Sequence, residues 1–366
     1  MSTTFSSLPI VDLAPLRTPS GPTKTDLSNL SRQLYDVFAT TGFAYLVNAP
    51  LSFSHADVFG MALEFFGLPE EEKMKLAKRT FRKENKNTYR GYFPTQPEES
   101  SDNLKEGFEI GPAQPIKTTS NVTQSSKFNL AEPNVWPDEK IFPSRPRLEQ
   151  LYAELQALAS KLLSLLAMSL GKPPDFFAHY LEDSLSTLRL LHYPPAAAET
   201  KAELDANADQ YGSVPATPPP EPDEPVKLSC TPHTDSGILT LLHQDATGGL
   251  EVQDSSGKWV PAPYIPESLV VNIGDLMAKV SGGRFVATMH RVRAPQKRPI
   301  SVDRNGIASA RFGRFSVPFF FEPGENCVVR PVDDNGEAIV YGEHVRAKMK
   351  TWVEFKDIDD DDDASS

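Results

Sequence analysis

The chain reads as a mainly β protein with flanking helices, an antiparallel sandwich or roll packed on one long helix. Three observations predict it. From Thr187 onward, short runs of β-branched and aromatic residues are punctuated by turns. Ahead of them Leu148, Leu151, Leu155, Leu158, Leu162 and Leu165 step by three and four, one apolar stripe along a helix. With 366 residues, 39% of them hydrophobic and 23% charged, the chain has ample core for one large domain or two small ones.

Residues 8–13 form a short strand or extended entry. Leu27, Leu30, Leu34, Val37 and Phe38 recur at helical spacing, Gly42 ends that helix, and residues 43–47 make a short strand. Ser54 is a plausible N-cap for a helix running to Phe66; Gly67-Leu68-Pro69 ends it and Glu70-Glu71-Glu72-Lys73 starts another. Residues 79–140 are polar and proline-rich, with little period beyond 105–111, and are expected to wrap the core as loops. The leucine stripe forms a supporting helix over 145–172, stopped by Gly171-Lys172-Pro173-Pro174; it is too short, and too poor in flanking charge pairs, for a coiled-coil seam. Strands are expected at 187–193, 229–243, 249–253, 269–273, 284–293, 311–321 and 326–330. Residues 211–225 hold six prolines, and the insertion 196–228 around them is read as a lid. The chain therefore divides into an N-terminal region (6–140), the supporting helix (145–172), a β domain (180–331) and a C-terminal segment (332–366) of one helix and a disordered acidic tail.

Net charge is −12, but Asp357 and the five aspartates at 359–363 supply six of those negatives, so the folded body carries about half. That balance argues against nucleic acid or an anionic membrane as partner. No apolar run approaches the length of a membrane span, and residues 1–8 lack the pattern of a secretory signal. Two cysteines, Cys230 and Cys327, make no disulfide framework, and a reducing cytoplasm is the expected setting. Oligomeric state is not legible.

Chemistry enters with the pattern His-x-Asp, present three times: His55/Asp57, His233/Asp235 and His243/Asp245. In an extended strand, residues two apart share a face, so an imidazole and a carboxylate can converge on one ion. The first pair opens a helix, where residues two apart diverge by about 200°. There Asp57 is better read as a first-turn acid favoured by the helix dipole. The third ends a run at Asp245-Ala246-Thr247-Gly248-Gly249, ordinary turn chemistry that spacing alone does not eliminate. The second stands at the mouth of an apolar run and is favoured. Two imidazoles and one carboxylate with open positions is the ligand set of non-haem Fe(II) oxygenases. Of the other histidines, His179 and His344 sit in helical, charged surroundings, whereas His290 follows a strand-like run 290 − 235 = 55 positions past Asp235. Downstream, Arg314 and Ser316 share one strand face amid Phe312, Phe315, Phe319, Phe320 and Phe321. A guanidinium buried there needs an anion, either one of the chain's own acids or a ligand carboxylate gripped by Arg and hydroxyl.

His233-Thr234-Asp235, His290 and Arg314-Phe315-Ser316 resemble the metal and co-substrate motifs of the 2-oxoglutarate/Fe(II)-dependent dioxygenase superfamily, the isopenicillin N synthase-like branch in particular. The resemblance covers about residues 6 to 330, through Leu8-Pro9-Ile10-Val11-Asp12-Leu13, Phe65-Phe66-Gly67-Leu68-Pro69, Arg90-Gly91-Tyr92, Lys105-Glu106-Gly107-Phe108, Leu239-Thr240-Leu241-Leu242, Val271-Asn272-Ile273-Gly274-Asp275 and His290-Arg291-Val292. It implies a double-stranded β-helix (jelly-roll) core with a long supporting helix and N-terminal α/β elements. It also implies Fe(II) on His233, Asp235 and His290, with 2-oxoglutarate and O2 as co-substrates. Arg314, Ser316 and Tyr193 would hold 2-oxoglutarate; Arg189, Phe320 and Glu109 would face a small organic substrate, as in secondary metabolism. The resemblance also resolves the choice among the His-x-Asp pairs. Departures are Leu191 where many relatives have Asn, Asn48-Ala49-Pro50 in place of Asn-His-Gly, and Arg314 lying 314 − 290 = 24 residues past His290. An iron oxidase using no 2-oxoglutarate, or an inactive binding protein of the same fold, are the alternatives.

Overall fold

The computed structural model describes residues 3–96, 105–114, 129–194, 228–294, 313–333 and 336–349. The insertion read as a lid (all but Leu228) and the acidic tail fall outside these residues.

Capping chemistry places the N-terminal helices. Thr23 and Asp26 close a reciprocal capping box on α1 (Lys24–Thr40), and Ser54 and Asp57 do the same on α2 (His55–Phe66). Asp57 is thus spent on the helix end, while the His55 ring lies 2.9 Å from the Ser268 carbonyl, so the first His-x-Asp pair holds no ion. Between these helices run β1 (Ile10–Asp12) and β2 (Phe43–Val47), and α3 (Glu70–Met74) follows.

Two short strands then correct the expectation of loops over 79–140: β3 (Gly91–Phe93) and β4 (Glu106–Ile110) extend the main sheet. Every residue of both is buried, so neither shows the polar–apolar alternation that marks a half-exposed strand. The leucine stripe forms α4 (Arg145–Ser169), with Leu148, Leu151, Leu155 and Leu166 wholly buried. Each such side chain contributes about 2 kcal/mol of burial. Contrary to the sequence expectation, this 25-residue helix is, by length and composition, long and apolar enough to cross a membrane; here more than half of its most apolar 18 residues are buried within the protein.

The β half contains β5 (Thr187–Tyr193), β6 (Leu228–His233), β7 (Leu239–Gln244), β8 (Leu250–Gln253), β9 (Trp259–Pro261), β10 (Leu269–Ile273), the short helix α5 (Asp275–Val280), β11 (His290–Arg293), β12 (Arg314–Phe321), β13 (Val328–Val329), β14 (Ile339–Val340) and α6 (Tyr341–Met349). The strand expected over 284–293 is regular only from His290. The large sheet runs β1-β2-β10-β7-β12-β5-β4-β3, and the small one β6-β11-β8-β9. This is the double-stranded β-helix, antiparallel apart from the β1–β2 edge.

Strand period two sorts the large sheet's faces. Phe315, Val317, Phe319 and Phe321 pack into the helix-side core with the α4 leucines. Arg314, Ser316, Pro318 and Phe320 take the opposite face. On that face Phe43, Tyr45 and Val270 meet Leu250, Val252 and Val292 of the small sheet. The functional site lies in this layer between the sheets.

Candidate metal centre

The stretch 229–243 is not one strand but two, in different sheets. β6 ends at His233, residues 234–238 cross over, and β7 begins at Leu239 in the large sheet. Asp235 therefore sits in the crossover, not beside His233 on a strand as spacing suggested. Backbone contacts hold this turn against the start of α5: Asp275 N–H donates to the Asp235 carbonyl at 2.7 Å and Gly274 N–H to that of Ile238 at 3.0 Å. The approach demands glycine, since a Cβ on Gly274 would stand 2.3 Å from the Gly237 carbonyl oxygen.

His290 is the direct cross-strand partner of His233 in the β11–β6 ladder, which brings their rings to 4.2 Å between centroids. Asp235 Oδ1 lies 3.8 Å from His233 Nε2 and 3.7 Å from His290 Nε2, and one ligand atom from each residue falls within 4.8 Å of the others. Both Nδ1 atoms face backbone carbonyls, His233 at 2.8 Å from Thr231 O and His290 at 3.2 Å from Thr288 O. Donation there fixes the tautomer that leaves each Nε2 lone pair free for an ion.

Asp235 is oriented from the large sheet. Its Oδ2 accepts from Thr240 Oγ1 at 2.6 Å and Asn272 Nδ2 at 2.8 Å, residues paired in register on β7 and β10. Although burial pushes the carboxyl up, the imidazoles of His290 and His233 and these two hydrogen bonds outweigh it and hold it below its ordinary range. Burial keeps His290 low and hence neutral, as a ligand must be. Sequence reading assigned no role to Thr240 or Asn272; only strand register brings them under Asp235. Asn272→Leu is expected to weaken Fe(II) affinity by about 10- to 100-fold, measured by competition with a chelator of known affinity.

The third pair is structural. His243 points to the helix side, pushed down to about 3 by burial and by His55, whose ring is 5.6 Å away. Asp245 accepts from Phe315 N–H at 2.6 Å and Thr247 N–H at 2.9 Å. His179 is exposed, whereas His344 is half-buried on α6 with Nε2 3.3 Å from the Ser236 carbonyl.

Arg314 is 1% exposed. Its Nε donates to the Gly248 carbonyl at 2.6 Å, and its guanidinium lies 4.7 Å over the ring of Tyr193, its register partner on β5. No ion pair engages it among the described residues, and Nη1 is buried without a partner. Asp245 is near enough to act electrostatically on Arg314 but makes no ion pair with it, its oxygens accepting instead from the two backbone amides. A buried cation with an open donor, beside Ser316 on the same face, fits a ligand carboxylate.

Arg189 and Glu109 face each other across β5 and β4 as an ion pair, and Lys78 Nζ holds the second Glu109 oxygen at 2.5 Å. Phe320 lies beneath Arg189, 5.3 Å from its guanidinium carbon. The three residues implied as substrate contacts are thus one cluster on the inner face. Nearby, burial pushes the Glu322 carboxyl up to about 7, despite Tyr341, Arg90 and Arg189. Its ordinary value is 4.5, so the fold is penalised progressively as pH rises from 4.5 to 7 and fully above. Glu322→Gln should raise stability at pH 8 by about 2–3 kcal/mol and leave it unchanged at pH 4, read by urea unfolding at the two pH values.

Comparison with known proteins agrees with this geometry. Residues 188–323 match the 2OG-Fe(II) oxygenase superfamily, and residues 8–139 match the non-haem dioxygenase in morphine synthesis N-terminal family. A 2-oxoglutarate-dependent dioxygenase from Didymella fabae is 32% identical over 349 residues, spanning 92% of each chain. Isopenicillin N synthase from Penicillium rubens is 29% identical, over 96% of this chain and 98% of its own. A solved 2OG-Fe(II) oxygenase family protein from Caulobacter crescentus superposes with a TM-score of 0.69 at 26% identity, covering 95% of this chain and 100% of that one. The chain belongs to the 2OG-Fe(II) oxygenase superfamily: it is a 2-oxoglutarate-dependent dioxygenase whose facial triad is His233, Asp235 and His290.

Proposed function

We propose that Arg314, with Ser316 and Tyr193, grips the carboxylate of 2-oxoglutarate remote from the metal, and that the reaction hydroxylates, desaturates or rearranges a small organic metabolite. The observation that carries this reading is the unpartnered Nη1 of Arg314, buried on the same sheet face as the residues that orient Asp235. When bound, iron and 2-oxoglutarate supply the oxidising chemistry, with O2 consumed and succinate and CO2 released.

The chain's own residues bind, orient and exclude water. His290 offers a neutral nitrogen; His233, which burial lowers but Cys230 and Asp235 push up to about 9, becomes a neutral ligand once an ion replaces its proton. Asp235 brings one negative charge toward the ion while Thr240 and Asn272 prevent its carboxylate from turning. Three ligands on one side leave the opposite side for co-substrates. Arg314 is itself buried, where a fixed cation acts far more strongly than it would in water. The Tyr193 ring beneath it supports the guanidinium plane by cation–π attraction.

The test is stoichiometric. Under nitrogen, Fe(II) and 2-oxoglutarate together should give a visible charge-transfer band that Fe(II) alone does not. In air, each product should be matched by one succinate; product without succinate would instead identify the oxidase that uses no 2-oxoglutarate. We also assign the protein to the cytoplasm, working apart from membranes and nucleic acid. Its acidic balance and two free cysteines support that placement, which cell fractionation checks.

A further inference from the structure

We propose that Thr288 and Gly42 are positioning residues of the metal centre: through them the C-terminal end of α1 sets the orientation of the His290 ring. The proposal stands on the triad alone and is independent of how Arg314 is used. It places part of the metal site in the N-terminal region, although all three ligands come from the β half.

The first argument is what strand pairing leaves undone. His233 Nδ1 faces the Thr231 carbonyl, and both residues lie within β6. His290 Nδ1 faces the Thr288 carbonyl, but β11 begins only at His290, and residues 286–289 have no regular structure. The nearest sheet contact, Gln253 N–H to the Met289 carbonyl at 2.8 Å, leaves residues 286–288 to other anchors. The ladder therefore does not fix the carbonyl that selects the His290 tautomer.

The second is what holds that stretch. A helix ends in carbonyls that lack intrahelical partners. Two carbonyls at the end of α1 are filled from here: Val286 N–H donates to Phe38 O at 2.9 Å, and Thr288 Oγ1 donates to Thr41 O at 2.8 Å. Both threonines are buried, so the bond between them is shielded from solvent. Gly42 lets the two backbones meet. Its φ is +70°, and a Cβ there would stand 2.3 Å from the Val286 carbonyl oxygen and 2.4 Å from Thr288 Oγ1. The third argument is the residue that follows. The Phe43 ring meets that of His290 edge to face, with 5.2 Å between centroids. Phe43 is also the register partner of Asn272, which orients Asp235. Thr41, Gly42 and Phe43 thus bear on two of the three ligands.

The experiment measures Fe(II) affinity by chelator competition under nitrogen, without 2-oxoglutarate. Thr288→Val keeps the side chain's shape and removes its hydroxyl. Affinity should fall roughly tenfold, the low end of what loss of an outer hydrogen-bonding partner costs, because the His290–Thr288 contact itself remains. Thr288→Ser keeps the hydroxyl and should bind like the parent. Gly42→Ala drives a methyl group into the same contact and should also weaken binding. Ser31→Ala controls for lost stability: it removes another buried hydroxyl of α1, one that donates to the Leu165 carbonyl at 2.9 Å, and should leave metal affinity unchanged. With Co(II) in place of Fe(II), the visible bands report ligand geometry and should shift in Thr288→Val but not in Ser31→Ala. A melting curve recorded without metal shows that each variant folds. Parental affinity in Thr288→Val, or an equal loss in Thr288→Ser or in Ser31→Ala, overturns the proposal.

Discussion

An Asp235→Ala variant is expected to take up no Fe(II) at concentrations that saturate the parent protein, and to form no succinate. Loss of an outer hydrogen-bonding partner costs about 10- to 100-fold in metal affinity. Asp235 is itself a ligand and the only anion of the triad, so its loss must exceed that range. The damage is local: Thr240 and Asn272 lose their acceptor, a penalty of about 1–3 kcal/mol for donors left unpaired. Parallel measurements of metal uptake and of circular dichroism decide the matter. A variant that still binds iron with near-parental affinity would remove Asp235 from the ligand set.

The second large effect falls on Arg314. Removing one partner of a buried, hydrogen-bonded charge pair costs about 2–5 kcal/mol, so Arg314→Met should raise the 2-oxoglutarate concentration needed for half-maximal turnover by roughly 100-fold. Fe(II) affinity in the absence of 2-oxoglutarate should be unchanged. Stability of the ligand-free chain should not fall and should rise slightly, since the substitution removes a buried cation with an unpartnered nitrogen. A residue kept for packing alone would show the reverse: lower stability and an unaltered 2-oxoglutarate requirement. The two readouts together separate a binding role from a structural one.

How much of this was legible beforehand differs residue by residue. His233, Asp235 and His290 could be named because the His-x-Asp spacing left two candidate pairs and the resemblance to the dioxygenase motifs chose between them and supplied His290. Arg314 could be named because a cation sharing a strand face with Ser316 amid phenylalanines demands an anionic partner, and the resemblance supplied one. Legibility ended where long-range register took over. Nothing local to Thr240 or Asn272 says that they lie side by side beneath a carboxylate; that follows only from β7 pairing with β10. The break lies at Thr234-Asp235-Ser236-Gly237, a polar turn signal, but nothing local says that the strands on either side of it belong to different sheets. β3 was hidden because burial on both faces erases alternation, β4 showed only as the one periodic stretch at 105–111, and α5, six residues long, gives too little periodicity to see.

The crossover at 234–238 has a mechanical consequence. His233 and His290 belong to the small sheet, whereas Asp235 is clamped to the large one through Thr240 and Asn272. An ion seated on all three residues rivets the two walls together, and prying them apart must break a coordination bond. Iron affinity and resistance to splaying are then one quantity viewed from two sides, linked by RT ln(1 + [Fe]/Kd). At a hundredfold excess over Kd, that linkage is worth about 2.7 kcal/mol. Chelation should lower the melting temperature and open the seam to proteases first at 234–238, so that iron scarcity shortens the protein's lifetime as well as silencing it.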